Sequence, residues 1–473
     1  MTTLDSGETV TATTEIREGE YGDKVGVVEP GGAEFIPLNE RHGKPSHLFW
    51  VWMSPNFEFA TVFVGVICVL FFGLSVAQAL GAIVLGTVLG SVTQGALSAR
   101  GPQYGVPQMI LSRISFGYWG NTVPAGINAI IAGIGWFAVN SVSGALALNT
   151  LLHLNKYACL VIIAAAQIAI ALYGHNLVHV FERVAFPLLA VAFILGAIWT
   201  FSKGHYGGHG TGGFGGFTLA VGATFGYACG WNPYAADYAR YMPPDTSKPA
   251  VAWWSGFGVA LSCIFLELVG AVSATIATKS SLTPTAAFTS PYPTAVRDLV
   301  LLAIAVGAVA ANVLNIYSGA MSFTTLGIRI PVKFRRALIA GVFGVAGFIV
   351  AAIGLNNIDK YENFLLIIAY WIGPWLAVFF VDQLINRGNH ADQLYNHRHE
   401  NLAGPIAMVV GMVVSIGLFA NQPPRFTAYF PSHHPKIGDL TFEVGFVLTA
   451  VLYYILVLAG LGKRSRKPIV LPN

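Results

Sequence analysis

Long apolar stretches separated by short polar breaks make up most of the chain after residue 45. A bilayer core about 30 Å thick needs about 20 apolar residues per helix, since each backbone amide must bond within its own segment. The pattern therefore predicts an all-α integral membrane protein with about twelve transmembrane helices. The predicted segments lie near residues 49–75, 78–98, 119–148, 157–174, 183–202, 217–236, 252–277, 298–321, 335–355, 362–385, 402–420 and 442–462.

The composition excludes most soluble proteins. Hydrophobic residues make up 55% of the chain and charged residues 10%, with a mean hydropathy of +0.63. A soluble domain carries about 25% charged residues. Nine of the 22 acidic residues precede residue 45, so we predict a polar N-terminal tail over 1–45. Lysine and arginine residues after the last apolar segment predict a basic C-terminal tail over 463–473. No basic start followed by an apolar core is present, so a cleaved signal peptide is not predicted.

Lysine and arginine residues are divided unequally between the two sets of predicted loops. Nineteen of the 26 fall on the side that carries the N-terminus. Because cytoplasmic loops are enriched in these residues, both termini are predicted to be cytoplasmic. An even number of spans agrees with this topology. The predicted location is the plasma membrane.

The first and sixth predicted helices both contain helix-breaking residues. Pro55 lacks an amide donor and is followed by Asn56 and Glu58. The sixth segment holds Gly226, Gly230 and Pro233. Interrupted helices at matching positions of two halves indicate the binding site of an inverted-repeat transporter. Glycine and proline are also common in membrane helices, but polar side chains beside both breaks favour transport.

Several amide side chains lie within apolar segments, where they need a partner or a cavity. Trp136 and Asn140 are four residues apart and share one helix face. An indole beside a carboxamide suits a planar heteroaromatic ligand, since the ring stacks and the amide both donates and accepts. Asn312 and Asn315 also share a face. Interhelical hydrogen bonding is the alternative for each one, but asparagines on three candidate helices together favour a ligand.

Two acidic residues are predicted to lie deep within helices. Glu58 and Glu267 are candidates for carrying a coupling proton. Asp237 and Arg240 end the sixth segment, where they form either a gating pair or a helix-end salt bridge.

Other functional classes lack their signatures. An intramembrane enzyme needs a nucleophile or a metal cluster, and the sequence has no HExxH or Gly-x-Ser-Gly motif. The four cysteines lie far apart in apolar runs, without metal-ligand spacing. We therefore predict no catalytic residue, no bound metal and no cofactor. A channel remains the other alternative, although buried amides favour saturable binding over a wide pore.

The order of several short motifs resembles the nucleobase–cation symporter family, and most closely its purine–cytosine permease branch. The resemblance extends over nearly the whole membrane region. The motifs are Trp52-x-Ser54-x-Asn56, Gly101-Pro102-Gln103-Tyr104-Gly105-x-Pro107-Gln108-Met109-x-x-x-Arg113, Ser115-Phe116-Gly117-Tyr118-x-Gly120, Gly135-Trp136-x-x-x-Asn140, Gly230-Trp231-x-x-x-Ala235-Ala236-Asp237-Tyr238, Glu267-Leu268-x-Gly270 and Asn315-x-Tyr317-Ser318.

The resemblance implies cation-coupled uptake of cytosine or purine bases by alternating access. It implies a ten-helix core over 46–385, with inverted repeats near 49–202 and 217–385, and two peripheral helices within 386–462. The implied partners are a small planar nucleobase and membrane lipid; no nucleic acid or obligate protein partner is expected.

The resemblance also assigns substrate-binding residues. It implies that Trp136 stacks on the base and Asn140 hydrogen-bonds it. The remaining implied contacts are Trp231 or Tyr227 from the sixth helix, Asn315 or Asn312 from the eighth, and Asn56 with nearby Ser54 from the first.

One departure from the family pattern concerns the coupling ion. Sodium-coupled relatives carry hydroxyl residues on the eighth helix, where this chain has Ala310 and Ala311. We therefore predict proton coupling through Glu58 and Glu267, with sodium as the alternative. The alternative substrates are other small heterocycles: a hydantoin, allantoin or a vitamin B6 form.

Overall fold

A computed structural model describes residues 2–3, 9–10, 34–173, 175–276, 279, 282–327, 332–355 and 360–462. The described chain is almost wholly helical, and we number its membrane helices α1 to α12. They are α1a His47–Met53 with α1b Phe59–Leu70, α2 Val76–Ser98, α3 Thr122–Leu152, α4 Lys156–Tyr173, α5 His175–Lys203, α6a Gly213–Cys229 with α6b Ala235–Ala239, α7 Lys248–Ser273, α8 Thr294–Thr325, α9 Val332–Gly354, α10 Tyr361–Ile385, α11 Ala403–Phe419 and α12 Thr441–Leu458.

Short elements connect these helices. In the described loops, five short α-helical segments occur at Gly101–Tyr104, Gln108–Leu111, Arg113–Phe116, Pro284–Thr289 and Tyr429–His433, and three 3₁₀ segments at Leu38–Glu40, Ala391–Gln393 and Pro435–Ile437. In the described residues, the strand Thr2–Thr3 pairs antiparallel with Thr9–Val10, and the strand Asn421–Gln422 pairs antiparallel with Phe426–Thr427.

The lengths and apolar character of the helices agree with membrane insertion. Within the described residues, seven helices are long and apolar enough to cross a bilayer, and the bent pair α1a–α1b makes an eighth. Three shorter apolar helices belong to α4, α9 and α11. Together with the broken α6 they give twelve spans, which confirms the predicted all-α membrane fold.

Several helices begin before their predicted boundaries. α5 begins at His175 instead of residue 183, and α6a, α7 and α8 each begin four residues before residues 217, 252 and 298. The glycine-rich start of α6a reads as a loop from sequence. In the structure Gly216 packs directly against the Phe72 carbonyl, where a side chain would not fit.

Within the ten core helices α1–α10, the pattern of helix contacts repeats when each helix is replaced by the one five positions away (α1 by α6, α7 by α2). The α2–α7 and α3–α8 contacts map onto themselves, while α1–α7 corresponds to α6–α2 and α4–α8 to α9–α3. Because five is odd, the second half starts from the opposite side of the membrane. The core is therefore a five-plus-five inverted repeat, as the resemblance implied.

The inverted-repeat core buries its central helices and leaves lipid-facing side chains at the periphery. Among the membrane helices so compared, α8 and α10 have the largest share of buried residues in their apolar stretches. Large apolar side chains are exposed on outer helices, for example Val92 on α2, Val184 on α5 and Leu458 on α12. A surface of this kind is stable against acyl chains but not against water.

The peripheral helices α11 and α12 pack against each other and against α10. Gly373 of α10 lies against the backbone of Phe442 at the start of α12. The Tyr370 hydroxyl bonds the Asp439 carboxylate just before α12. The Tyr453 hydroxyl donates to Asp382 Oδ1 at 2.7 Å. α12 is thus attached to α10 along its length.

The predicted breaks in α1 and α6 are both present. In α1, Ser54–Asn56 form a 3₁₀ turn and Glu58 is extended, so the two halves meet at 60°. In α6, a turn and the 3₁₀ segment Asn232–Tyr234 separate the halves. α3 contains a third irregularity, a π-helical segment at Ile131–Trp136, which the sequence pattern did not predict. Such segments occur frequently at functional sites.

Candidate substrate site

A small enclosed cavity lies where the breaks of α1 and α6 meet α3 and α8. Its volume of about 10 Å³ is roughly the room needed by one water molecule. Its lining is Glu58, Trp136, Asn140, Tyr227, Gly230, Trp231, Ala311 and Asn315. Five predicted substrate residues and one predicted coupling residue therefore surround one cavity. A heterocycle requires its lining to move apart.

Trp136 forms one wall of this cavity, at the end of the π-helical segment. Its indole meets Tyr227 edge-on with ring centres 5.5 Å apart, and Phe364 in the same way at 5.2 Å. A Cβ on Gly230 would lie 3.1 Å from the Trp136 ring. The glycine in the α6 break therefore lets the indole approach the backbone closely.

Trp231 lines the cavity from the α6 break and is held by the α1 break. Its indole N–H donates to Asn56 Oδ1 at 2.9 Å. The Asn56 amide nitrogen donates to the Trp52 carbonyl at 2.7 Å and to Ser262 Oγ at 3.1 Å. Asn56 is thus bonded within the protein on both ends of its amide, outside the cavity lining.

Ser54 is also buried, in the 3₁₀ turn of α1, and does not line the cavity. The direct substrate contacts predicted for Asn56 and Ser54 stay predictions.

The predicted asparagines of α3 and α8 form one cluster. The amide nitrogens of Asn140 and Asn315 donate to Asn312 Oδ1 at 3.0 and 3.3 Å. Asn140 and Asn315 line the cavity, whereas Asn312 lies behind them. Within the described structure, the side-chain oxygens of Asn140 and Asn315 are buried and have no hydrogen-bond partner.

The two predicted coupling acids occupy different positions. Glu58 lines the cavity and precedes α1b, where a helix N-terminus favours negative charge. The Tyr227 hydroxyl, itself hydrogen-bonded to Thr61, donates to Glu58 Oε1 at 3.3 Å. Glu267 lies on α7 outside the cavity and accepts a hydrogen bond from the Thr87 hydroxyl at 2.8 Å.

The predicted gating residues Asp237 and Arg240 lie on the side that carries the N-terminus. Asp237 accepts the backbone N–H of Gln108 at 2.9 Å. Arg240 donates to the Glu34 carbonyl at 3.0 Å and to the Tyr317 hydroxyl at 3.4 Å. These contacts join α6b to the N-terminal segment, the α2–α3 loop and α8. This side of the cavity is closed by several packed layers.

The N-terminal segment adds a further layer to this closure. The Arg41 guanidinium donates to the carbonyls of Ile36 at 3.0 Å and Pro102 at 2.6 Å. Burial, and secondarily the charge of Arg240, lower the pKa of Arg41 to about 10. Arg41 therefore remains charged at neutral pH.

A larger cavity of about 380 Å³ lies on the opposite side of the membrane. Tyr361 and Phe364 at the start of α10 separate it from the small cavity, and both rings contact Trp136. Tyr361 and Phe364 were not among the predicted site residues, although two aromatic residues three positions apart at the start of a helix are a usable signal. On the side of the N-terminus, several packed segments thus separate the small cavity from the surface, whereas on the side of the larger cavity the separation consists of the Tyr361 and Phe364 side chains.

Two α8 residues near the α1 break and the cavity, Gly307 and Ala311, lack a side-chain hydroxyl. A Cβ on Gly307 would lie 2.6 Å from the Phe57 carbonyl, and Ala311 lines the cavity. Within the described residues, no group of three His, Cys, Asp or Glu side chains is arranged to hold a metal ion.

Comparisons with known proteins agree with this geometry. The chain is 28% identical to a putative purine-cytosine permease, YxlA of Bacillus subtilis, over 93% of this chain and 98% of that protein. It is 26% identical to the purine-cytosine permease fcyB of Emericella nidulans, over 91% of this chain and 88% of that protein. These relatives are named permeases, not enzymes.

The same fold occurs in a solved transporter structure. Mhp1, a nucleobase-cation-symport-1 family transporter, in a closed conformation with bromovinylhydantoin bound, superposes with a TM-score of 0.72. The match covers 91% of this chain and 95% of Mhp1 at 18% identity. Residues 35–445 match the family described as permease for cytosine/purines, uracil, thiamine, allantoin. This chain therefore belongs to that permease family.

Proposed function

We propose that this protein imports a nucleobase, cytosine or a purine, by proton symport and alternating access. The single observation that carries this proposal is the cavity where Trp136 and Trp231 meet the unpartnered amide oxygens of Asn140 and Asn315. Indole faces suit a flat ring, and amide oxygens suit its N–H groups. The names of the permease relatives point to the same substrates.

In this mechanism the base enters through the larger cavity, after Tyr361 and Phe364 move off Trp136. It stacks between Trp136 and Trp231, with Tyr227 against the side of the site. Asn140 and Asn315 hydrogen-bond its edge. Asn56 and Ser54 hold the α1 break, and Asp237 and Arg240 belong to the closure that opens later.

Proton coupling is supported by the position of Glu58. Its carboxyl group lies in the same cavity as the proposed base-binding groups, so base and proton affinities are linked reciprocally. The neighbouring α8 positions are Gly307 and Ala311, which offer a sodium ion no side-chain oxygen. Glu267, one helix layer away, is the second proposed carrier.

The proposed orientation places both termini in the cytoplasm and the larger cavity outside the cell, in the plasma membrane. The distribution of lysine and arginine supports this topology. The domain division proposed is the N-terminal tail 1–45, the core 46–385, the peripheral helices 386–462 and the C-terminal tail 463–473.

Counterflow in proteoliposomes tests the transport function. Vesicles loaded with unlabelled cytosine are expected to accumulate labelled cytosine transiently, because a carrier exchanges one bound substrate for another. A panel of purines, uracil, hydantoin, allantoin and pyridoxine then ranks the ligands by competition. Passive equilibration without transient accumulation would indicate a channel and would contradict the proposal.

The second candidate is uptake of another small heterocycle. The matched family's description includes allantoin, and the bound Mhp1 structure holds a hydantoin. The same competition panel distinguishes these substrates from nucleobases.

A further inference from the structure

A chain of buried hydrogen bonds lies behind the cavity and ends at its two unpartnered amide oxygens. The chain starts at Gln167 on α4, passes through Ser141 on α3 and reaches Asn312 on α8. All three side chains are fully buried, with 0% exposure. Neither Ser141 nor Gln167 was singled out from the sequence.

Backbone carbonyls fix the direction of every bond in this chain, since a carbonyl only accepts. The Gln167 amide nitrogen donates to the Ala308 carbonyl at 3.2 Å, so its oxygen faces Ser141. The Ser141 hydroxyl donates to that oxygen at 2.9 Å.

The same reasoning fixes the Asn312 amide. Its nitrogen donates to the Phe137 carbonyl at 2.9 Å and to Ser141 Oγ at 3.3 Å. Both amide hydrogens are then used, and Oδ1 must face away from α3's backbone.

Asn312 Oδ1 in turn determines how the cavity amides are oriented. Asn140 and Asn315 both direct their nitrogens at this single oxygen. Rotating either amide by 180° would set two oxygens against each other. Their own oxygens are consequently presented to the cavity, buried and without a partner in the described structure.

We propose that Asn312 is a positioning residue that sets substrate selectivity without touching the substrate. By fixing Asn140 and Asn315 as acceptors, it selects a ligand edge that donates two N–H groups. An exocyclic amino group, as in cytosine, supplies both donors. An oxo group at the same ring position, as in uracil, accepts but cannot donate, so it sets a third acceptor against the two amide oxygens, which a buried site disfavours strongly. This inference rests on the proposed nucleobase function.

The test compares cytosine and uracil binding to the purified full-length transporter, by inhibition of labelled cytosine binding. The wild-type protein is expected to prefer cytosine by at least about ten-fold. Asn312→Leu frees the two cavity amides to rotate, so the ratio of the two affinities is expected to fall towards one. Ser141→Ala, a milder change, is expected to lower the ratio by a smaller factor and keeps the test available if Asn312→Leu does not fold.

Asn128→Ala is the matched control. Asn128 is also a buried α3 amide bonded to α8, donating to Ser322 Oγ at 2.8 Å, but it does not line the cavity. Its loss is expected to leave the affinity ratio unchanged. Variants at Asn312 and Ser141 that bind cytosine with an unaltered ratio would overturn the inference and leave the proposed function intact. A wild-type protein that binds no heterocycle would overturn both.

Discussion

At the scale of single residues, the site depends on side chains that satisfy one another before any ligand binds. Trp231 is held by Asn56, and Asn140 and Asn315 by Asn312. Among the described residues, the side-chain oxygens of Asn140 and Asn315 in the cavity lining have no hydrogen-bond partner. Such preorganisation lowers the ordering cost of binding.

Replacing Trp136 by alanine removes the proposed stacking surface. Stacking of a base on an aromatic side chain contributes about 1–3 kcal/mol, so affinity is expected to fall roughly five-fold to 150-fold. Equilibrium binding of labelled cytosine measures this change. Trp253→Ala is the control, because Trp253 is 61% exposed on α7 and distant from the cavity lining. Unchanged affinity in Trp136→Ala would remove the central element of the proposed site.

Glu58→Gln keeps the size of the side chain but cannot release a proton. If Glu58 carries the coupling proton, uptake driven by an inward proton gradient is expected to be lost, while counterflow exchange without a gradient persists. Glu267→Gln is compared in the same assay to decide between the two acids. A sodium gradient that drives wild-type uptake as strongly as a proton gradient would contradict proton coupling.

At the scale of helices, close backbone contact connects α1b to α7. A Cβ on Gly65 would lie 1.7 Å from the Glu267 carbonyl, and one on Gly270 would lie 1.8 Å from the Val62 carbonyl. No layer of side chains separates the two backbones at these points. α1b and α7 are therefore expected to move together during transport.

Gly270→Ala tests this contact. The added methyl group has to push α1b away from α7, and overpacking of this kind costs about 1–3 kcal/mol. A lower Tm in detergent is the expected result. Gly417→Ala on α11 is the matched control, because a Cβ there meets nothing within 4 Å. Equal Tm values for the two variants would show that the α1b–α7 contact adapts without cost.

The helix count and the breaks in α1 and α6 could be predicted because lipid imposes length and hydrogen-bonding rules on the local sequence. The π-helical segment at Ile131–Trp136 could not, since its residues are compatible with an ordinary helix. The roles of Asn312 and Asn315 could not be separated either. Both occupy the same helix face, and only tertiary contacts decide which one reaches the cavity.

At the scale of the whole molecule, the two sides of the site are closed unequally. The N-terminal side has several packed layers, including Arg240 and the segment around Arg41. The opposite side has the rings of Tyr361 and Phe364 beneath a larger cavity. In the proposed mechanism, the side with the larger cavity is therefore the one from which small side-chain movements would admit the ligand.

Orientation in the membrane is tested by single introduced cysteines. Gly208→Cys in the α5–α6 loop is expected to react with an impermeant maleimide on intact cells, and Asp245→Cys between α6b and α7 only after permeabilisation. Both positions are exposed. The four native cysteines are buried and give a low background. The reverse labelling pattern would place the termini outside.

The attachment of α12 to α10 has a consequence for the surrounding bilayer. One face of α12 meets acyl chains, and the other is bonded to the helix that carries Tyr361 and Phe364. A bilayer thinner than the apolar length of α12 tilts such a helix at a modest energetic cost. That tilt would be transmitted to the aromatic cover, so turnover in reconstituted vesicles should vary with lipid chain length.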